Sequence, residues 1–502
     1  MRAFLRQLGF LAVYGTLGIV LTLVVGLGIH LTQSPALMPW HLAALTAEFR
    51  AADAANIKSL DDYRALESRL MAQLDTEVYA KVPGDERSPI NRYTTGSLAD
   101  ARQRKPDWNL TFEFPVAKPK GAVLMLHGLT DSPYSMRALA EIFSARGWYV
   151  VGLRLPGHGT APSALTDVTF EDWAAAVRMA AKDLRAKVGA DVPFVIAGYS
   201  CGAALAVEYA LATLQGEALP RASGLVLLSP AIGVSPVAAL AVWPARIAHW
   251  TGVRKLEWTD TSPEYDPYKY NGFTVNAAEQ MYRVTQRIRE HIDKLYKSGG
   301  VTGMPPILAF QSAADATVSA PAVVNAFFGK LAPEGHTLVA FDINRDAVID
   351  PLLTPAARNI GRKLLEGPPL PFDLTVLMNA GEGSVGQRSA LVARNRAAGS
   401  TTLDEVQTGM AWPLDVYSLA HVALPFRPDD PVYGNTPPAH LDFMFLGKIE
   451  LFGERGVLVV PPGDFARLRY NPFYSYVESR LGDFLAARER GDEPGESTHA
   501  TR

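Results

Sequence analysis

Cysteine is nearly absent: Cys201 is the only one in 502 residues. That excludes an intrachain disulfide and any zinc or iron–sulfur site built on several thiolates. An excess of one charge is lacking too, with 48 basic against 51 acidic residues and a net charge of -3. Without a concentrated basic footprint, nucleic acid is not an expected partner. Charge of any sign is missing from Gln7 to Ala47. Inside that stretch Phe10 to Ile29 is almost wholly apolar, about the length a helix needs to cross a bilayer. What is plentiful is hydrophobic content, 48% of the chain. That is enough to bury a large core, so the default class is a globular enzyme.

The apolar N-terminus predicts a transmembrane anchor over residues 1–31. Its Gly15, Gly18, Gly26 and Gly28 suit a membrane helix better than a water-exposed one. Arg2 and Arg6 precede it, and no Lys or Arg follows until Arg50. The positive-inside rule then keeps the N-terminus cytoplasmic and puts the remainder on the outer, periplasmic or extracellular, side. A cleaved signal peptide is the alternative. Pro35 and Pro39 break the chain, and Ala43 to Leu74 reads as amphipathic helix. Residues 32–100 are therefore a helical stalk or packing arm, unless they are a plain spacer.

From Leu110 the pattern alternates. Ala122–Leu126, Trp148–Leu153, Phe194–Tyr199, Gly224–Leu228 and Ile307–Phe310 are short apolar runs expected to be buried strands. Helical periodicity lies between them at Ser135–Ala145, Phe170–Val188 and Ala203–Leu214. The order predicts an α/β fold, a mostly parallel sheet covered by helices on both faces, with sites beyond the carboxyl ends of the strands. Residues 101–230 form its first part. Alternation stops over 231–302, where Trp243, Trp250, Trp258, Tyr265, Tyr268, Tyr270 and Phe273 crowd together ahead of a helix with Met281, Val284, Ile288, Ile292 and Leu295 on one face. This segment is expected to be an inserted cap, its aromatics either cap core or the lid of an apolar pocket. The sheet resumes over 303–488, with Gly381–Ser400 expected as a mobile loop and 489–502 as a disordered polar tail.

Gly198-Tyr199-Ser200-Cys201-Gly202 stands between the apolar run ending at Tyr199 and a helical stretch. G-x-S-x-G in that setting is a nucleophile elbow: a sharp strand-to-helix turn exposes the serine hydroxyl, and the glycines let neighbouring chain pass close. Ser200 is the candidate nucleophile. Cys201 follows the turn, where its backbone N–H rather than its thiol is used. Upstream, Leu124-Met-Leu-His127-Gly128-Leu129 ends a strand in a loop that can aim the N–H of Leu129 beside that of Cys201, forming an oxyanion hole. His127 braces that loop rather than titrating.

With Arg154-Leu-Pro156-Gly157-His158-Gly159 after the next strand, the chain resembles the capped α/β-hydrolases that include monoacylglycerol lipases, carboxylesterases and serine aminopeptidases. The likeness is close over Gly121 to Pro230 and less even beyond. It implies the α/β-hydrolase fold, no metal or organic cofactor, a structural role for His158, and an acid followed by a histidine later in the chain. Asp315, in Gln311-Ser-Ala-Ala-Asp315-Ala-Thr-Val318, fits the acid, with Asp342, Asp346 and Asp350 as runners-up. His421 fits the base, with His440 as competitor. Asp315 and His421 lie 106 positions apart, more than the family usually allows. An insertion over about 343–415 is therefore expected, containing a helix near Thr354–Leu365 and a strand near Leu374–Met378.

The resemblance implies acyl transfer to water from a small-molecule ester, with an apolar acyl group such as that of a monoacylglycerol suggested by the aromatic cap. Two alternatives stand beside it: a serine aminopeptidase-like peptide or amide hydrolase, and a non-catalytic binding protein on the same scaffold.

Overall fold

The computed structural model describes residues 35–491, except 234–251, 316–317, 319, 346–349, 382–387, 415, 441, 448 and 451–466, together with scattered positions between 14 and 33. No helix among the described residues is long and apolar enough to cross a membrane. Half of the expected span Phe10–Ile29 falls outside them, as do Trp243, Trp250, Asp346 and most of the expected tail.

Ten strands form one sheet: β1 (Phe112–Phe114), β2 (Ala122–Leu126), β3 (Tyr149–Leu153), β4 (Phe194–Tyr199), β5 (Gly224–Leu228), β6 (Ile307–Ser312), β7 (Thr337–Phe341), β8 (Asp373–Asn379), β9 (Ala390–Arg396) and β10 (Asp404–Ala411). Their order is β1-β3-β2-β4-β5-β6-β7-β8-β9-β10. From β3 to β8 every pairing is parallel, while β1, β9 and β10 join antiparallel. The apolar runs are continuous because both faces are covered, and parity decides which core each residue enters. Leu124, Leu126, Ile196 and Leu227 face one core. Val123, Met125, Val195 and Leu228 face the other.

The first core is closed by helices α3 (Phe170–Val188), α4 (Cys201–Leu214) and α5 (Val275–Leu295), the second by α2 (Arg137–Ala145) and α6 (Tyr474–Arg490). Thr169 begins α3 with a reciprocal capping box: its hydroxyl accepts from Asp172 N, and the Asp172 carboxylate accepts from Thr169 N. Met281, Val284, Ile288 and Ile292 of α5 are buried in the same core as α3 and α4. The helix read as part of the cap thus packs against α3 and α4.

The N-terminal arm is built into this body. Helix α1 (Leu60–Glu77) starts at a Ser59 cap and buries Leu60, Tyr63 and Leu66 in the first core, joined by Phe49. Fully burying one such side chain stabilises by roughly 1.5–3 kcal/mol.

Two local expectations need correction. Gly381–Ser400 is not one loop, because Ala390–Arg396 is strand β9, paired in register with β8. Its Leu391, Val392 and Ala393 are buried, and that apolar triplet outweighs the flanking Gly, Ser and Arg that suggested a loop. The tail begins later than 489: Glu489 and Arg490 end α6, and Glu489 accepts from Trp148 Nε1 at 2.8 Å and pairs with Arg146.

Candidate active site

Ser200 sits between β4 and α4 at φ 51°, ψ −111°, a left-handed conformation that costs a non-glycine residue energy. Its neighbours explain why the turn persists. A Cβ on Gly202 would lie 2.1 Å from the Leu126 carbonyl oxygen, and one on Gly198 would lie 2.5 Å from Ala203 N. Only glycine lets α4 start this close to the end of β2. Ser200 N donates to Leu228 O at 2.9 Å, which anchors the turn to β5. Cys201 opens α4, so its N–H has no partner within the helix. Its thiol is fully buried and pushed up to about 12 by that burial, so it stays protonated and unreactive at neutral pH.

Leu129 lies in the loop after β2, followed by Thr130 at φ 66°. His127 is buried and neutral, burial holding its pKa well below the usual imidazole value. Its Nδ1 lies 2.8 Å from Gly128 O, and its Nε2 accepts from Leu155 N at 3.0 Å. The loop is also held at Thr130, whose carbonyl accepts from Tyr270 N at 2.8 Å. His158 is buried as well, lowered to about 4 by burial, with Nδ1 3.0 Å from Pro156 O.

Asp315 follows β6. Its carboxylate accepts from Val318 N at 2.8 Å, Ser229 Oγ at 2.9 Å and Gln311 Nε2 at 3.3 Å. Its Oδ1 stands 3.4 Å from His421 Nδ1. That exceeds the roughly 2.7–2.9 Å of a tight charge-assisted hydrogen bond, a looseness common before substrate is bound. The runner-up Asp342 is buried against Arg345, 3.0 Å away. His440 is exposed.

The long interval before His421 has a topological explanation. After β8 the hairpin β9–β10 runs back and then forward, so the chain leaves β10 at the end where the parallel strands also finish. Asn344, just past β7, then fastens the returning segment. Its backbone N–H donates to Tyr417 O at 2.7 Å, and its side-chain amide donates to Val416 O at 2.7 Å. Asn379, ending β8, donates to Asn344 Oδ1 at 2.9 Å. Sequence reasoning missed Ser229, Gln311, Asn344 and Asn379. The available signal was their place at or just beyond the carboxyl ends of sheet strands.

Tyr199 and Val422, the chain neighbours of Ser200 and His421, line one cavity of about 80 Å³. Asp131, Tyr265, Asp266, Lys269, Phe426 and Tyr433 line it too, so it is more polar than the aromatic segment suggested. Burial raises the Asp131 carboxyl to about 6, opposed by Lys269 and reinforced by Asp266. Asp266 accepts from Tyr433 Oη at 2.7 Å.

Residues 117–343 match the family described as serine aminopeptidase, S33. A stretch of 117 residues is 33% identical to the thermostable monoacylglycerol lipase of Bacillus sp. (strain H-257), and one of 118 residues is 26% identical to phospholipase YtpA of Bacillus subtilis (strain 168). Each alignment covers 23% of this chain, and the chain spans only 43% of the length of either relative. Among solved structures, a monoacylglycerol lipase of Paleococcus ferrophilus aligns at 19% identity and a TM-score of 0.35, covering 46% of this chain and 88% of that one. The parallel sheet and the elbow after β4 have the arrangement of the α/β-hydrolase fold, and residues 117–343, under half of the chain, match the serine aminopeptidase family.

Proposed function

We propose that this protein is a membrane-anchored serine hydrolase that cleaves a carboxylic ester through a Ser200–His421–Asp315 triad and an acyl-enzyme. The observation that carries the reading is the approach of Asp315 to His421, two residues remote in sequence, with Asp315 tied to Ser229, the neighbour of Leu228 whose carbonyl anchors the strained Ser200 turn. His421 takes the serine proton, the alkoxide attacks the carbonyl carbon, and the N–H groups of Leu129 and Cys201 stabilise the oxyanion. Asp315, held by three donors, orients and balances the imidazolium. Water then releases the acyl group by the reverse proton path, with no cofactor.

The polar cavity beside Tyr199 suits a leaving group bearing hydrogen-bond donors, and the alcohol half of a monoacylglycerol fits that description. The pairing of Asp131 with Asp266 favours a second reading, an aminoacyl amide whose ammonium group they would receive. For the anchor, the support is an N-terminal stretch that exposes Tyr14, Leu17, Leu21 and Val25 at helical spacing; the rest of the chain would lie on the outer side.

Labelling with a fluorophosphonate tests the chemistry: wild type should be modified and Ser200→Ala should not. An unmodified wild type would leave a non-catalytic binding protein. Glycerol monoesters and aminoacyl amides assayed side by side decide between the substrates, and retention in the membrane pellet after alkaline carbonate washing tests the anchor.

A further inference from the structure

The N-terminal arm lies outside the family match, yet it reaches the loop that carries Leu129. Arg154 is fully buried, and the arm supplies both of its carboxylate partners. Glu48 accepts from Nη1 and Nη2 at 2.9 Å each, and Glu67 accepts from Nε at 2.9 Å. Glu48 also accepts from Gly157 N at 2.8 Å, and Tyr63 Oη donates to Arg154 O at 2.9 Å. The next residue, Leu155, donates its N–H to His127 Nε2. A second route runs through Arg92, whose N–H donates to Glu264 O and whose guanidinium donates to Lys269 O, one residue before the Tyr270 N–H that holds Thr130 O. Both routes converge on residues 127–130.

We propose that the arm is part of the catalytic apparatus: Glu48, acting through Arg154 and the 154–158 loop, is a positioning residue that sets where the Leu129 N–H points. Packing alone would need no buried guanidinium. Two ionised or polar partners beneath a loop fix its direction, because a charge taken out of water tolerates little displacement from its partners. The catalytic consequence rests on the acyl-transfer reading above, whereas the mechanical coupling does not.

The test uses the full-length protein with three single variants. Glu48→Gln should lower kcat for a p-nitrophenyl ester by about tenfold to hundredfold, the scale of a small misplacement of a catalytic group, with KM nearly unchanged. It should also speed amide hydrogen exchange across residues 127–132. Arg283→Ala, which breaks a surface ion pair with Glu171 outside the arm, should leave both readouts at wild-type values. Tyr63→Phe, which removes a single hydroxyl, should give a smaller change in the same direction and serves if Glu48→Gln fails to fold. Wild-type kcat and exchange in a folded Glu48→Gln or Tyr63→Phe protein with a lowered Tm would overturn the proposal, leaving the arm a structural brace. If wild type neither turns over nor labels, the acyl-transfer reading fails, and the exchange data alone decide whether the arm and the loop are coupled.

Discussion

The two halves of the candidate site are built in different ways. Around Ser200 the geometry is local: a strand, one strained residue, two glycines at close approach and a helix, all within Phe194–Leu214. Around Asp315 and His421 it is distant, reached by a hairpin that doubles the chain back and by Asn344 and Asn379, which fasten the returning segment. The first half should fail abruptly when one atom is added. The second should lose function by degrees as its supporting hydrogen bonds are removed.

The largest effect expected is for Ser200→Ala, which should cut kcat by about 10⁶-fold while leaving Tm near wild type, because the strained φ is kept and only the hydroxyl is lost. Asp315→Asn should follow with a loss of about 10⁴-fold. Asp342→Asn should leave kcat near wild type, and the reverse pattern in steady-state assays would move the acid to Asp342. Gly202→Ala is expected to cost more than about 4 kcal/mol in urea unfolding, since its Cβ meets a backbone carbonyl that cannot yield.

The Asp131 prediction concerns pH. The folded protein holds this carboxyl at about 6 against an ordinary 3.8, chiefly through burial, so the folded state keeps a proton that the unfolded chain has released. Its contribution therefore weakens the fold as pH rises from near 4 to 6, reaching about 3 kcal/mol above that window. Asp131→Asn should be more stable than wild type at pH 8 by up to that amount and equal to it below pH 4. Denaturation at the two pH values checks the sign. The smallest loss of activity at the candidate site is expected for Ser229→Ala, which takes one donor from the Asp315 carboxylate. A loss of about 1.5–3 kcal/mol is the usual worth of a hydrogen bond to a charged group, and kcat should fall by roughly tenfold or more at constant KM.

The alternation of apolar strands and amphipathic helices was legible because a parallel sheet buried on both faces needs continuous apolar runs, as in Ala122–Leu126 and Phe194–Tyr199. Strand β9 was not, since Leu391 and Ala393 sit among Gly, Ser and Arg whose local preference is for loop. The arm's packing was one of the alternatives the sequence offered, but its buried ion pairs were not legible, because Glu48 and Glu67 read as surface charges until Arg154 is placed between them.

By itself the sequence determined the elbow, the loop that follows β2 and the α/β layering, because backbone strain, glycine contacts and side-chain periodicity act over a few residues. Only the tertiary structure decided which aspartate meets His421, how the arm reaches residues 127–130, and that the cavity beside Tyr199 is polar. Those outcomes depend on strand order and on pairings across tens to hundreds of positions, where each partner's identity is fixed by the other's location and by nothing adjacent to it in the chain.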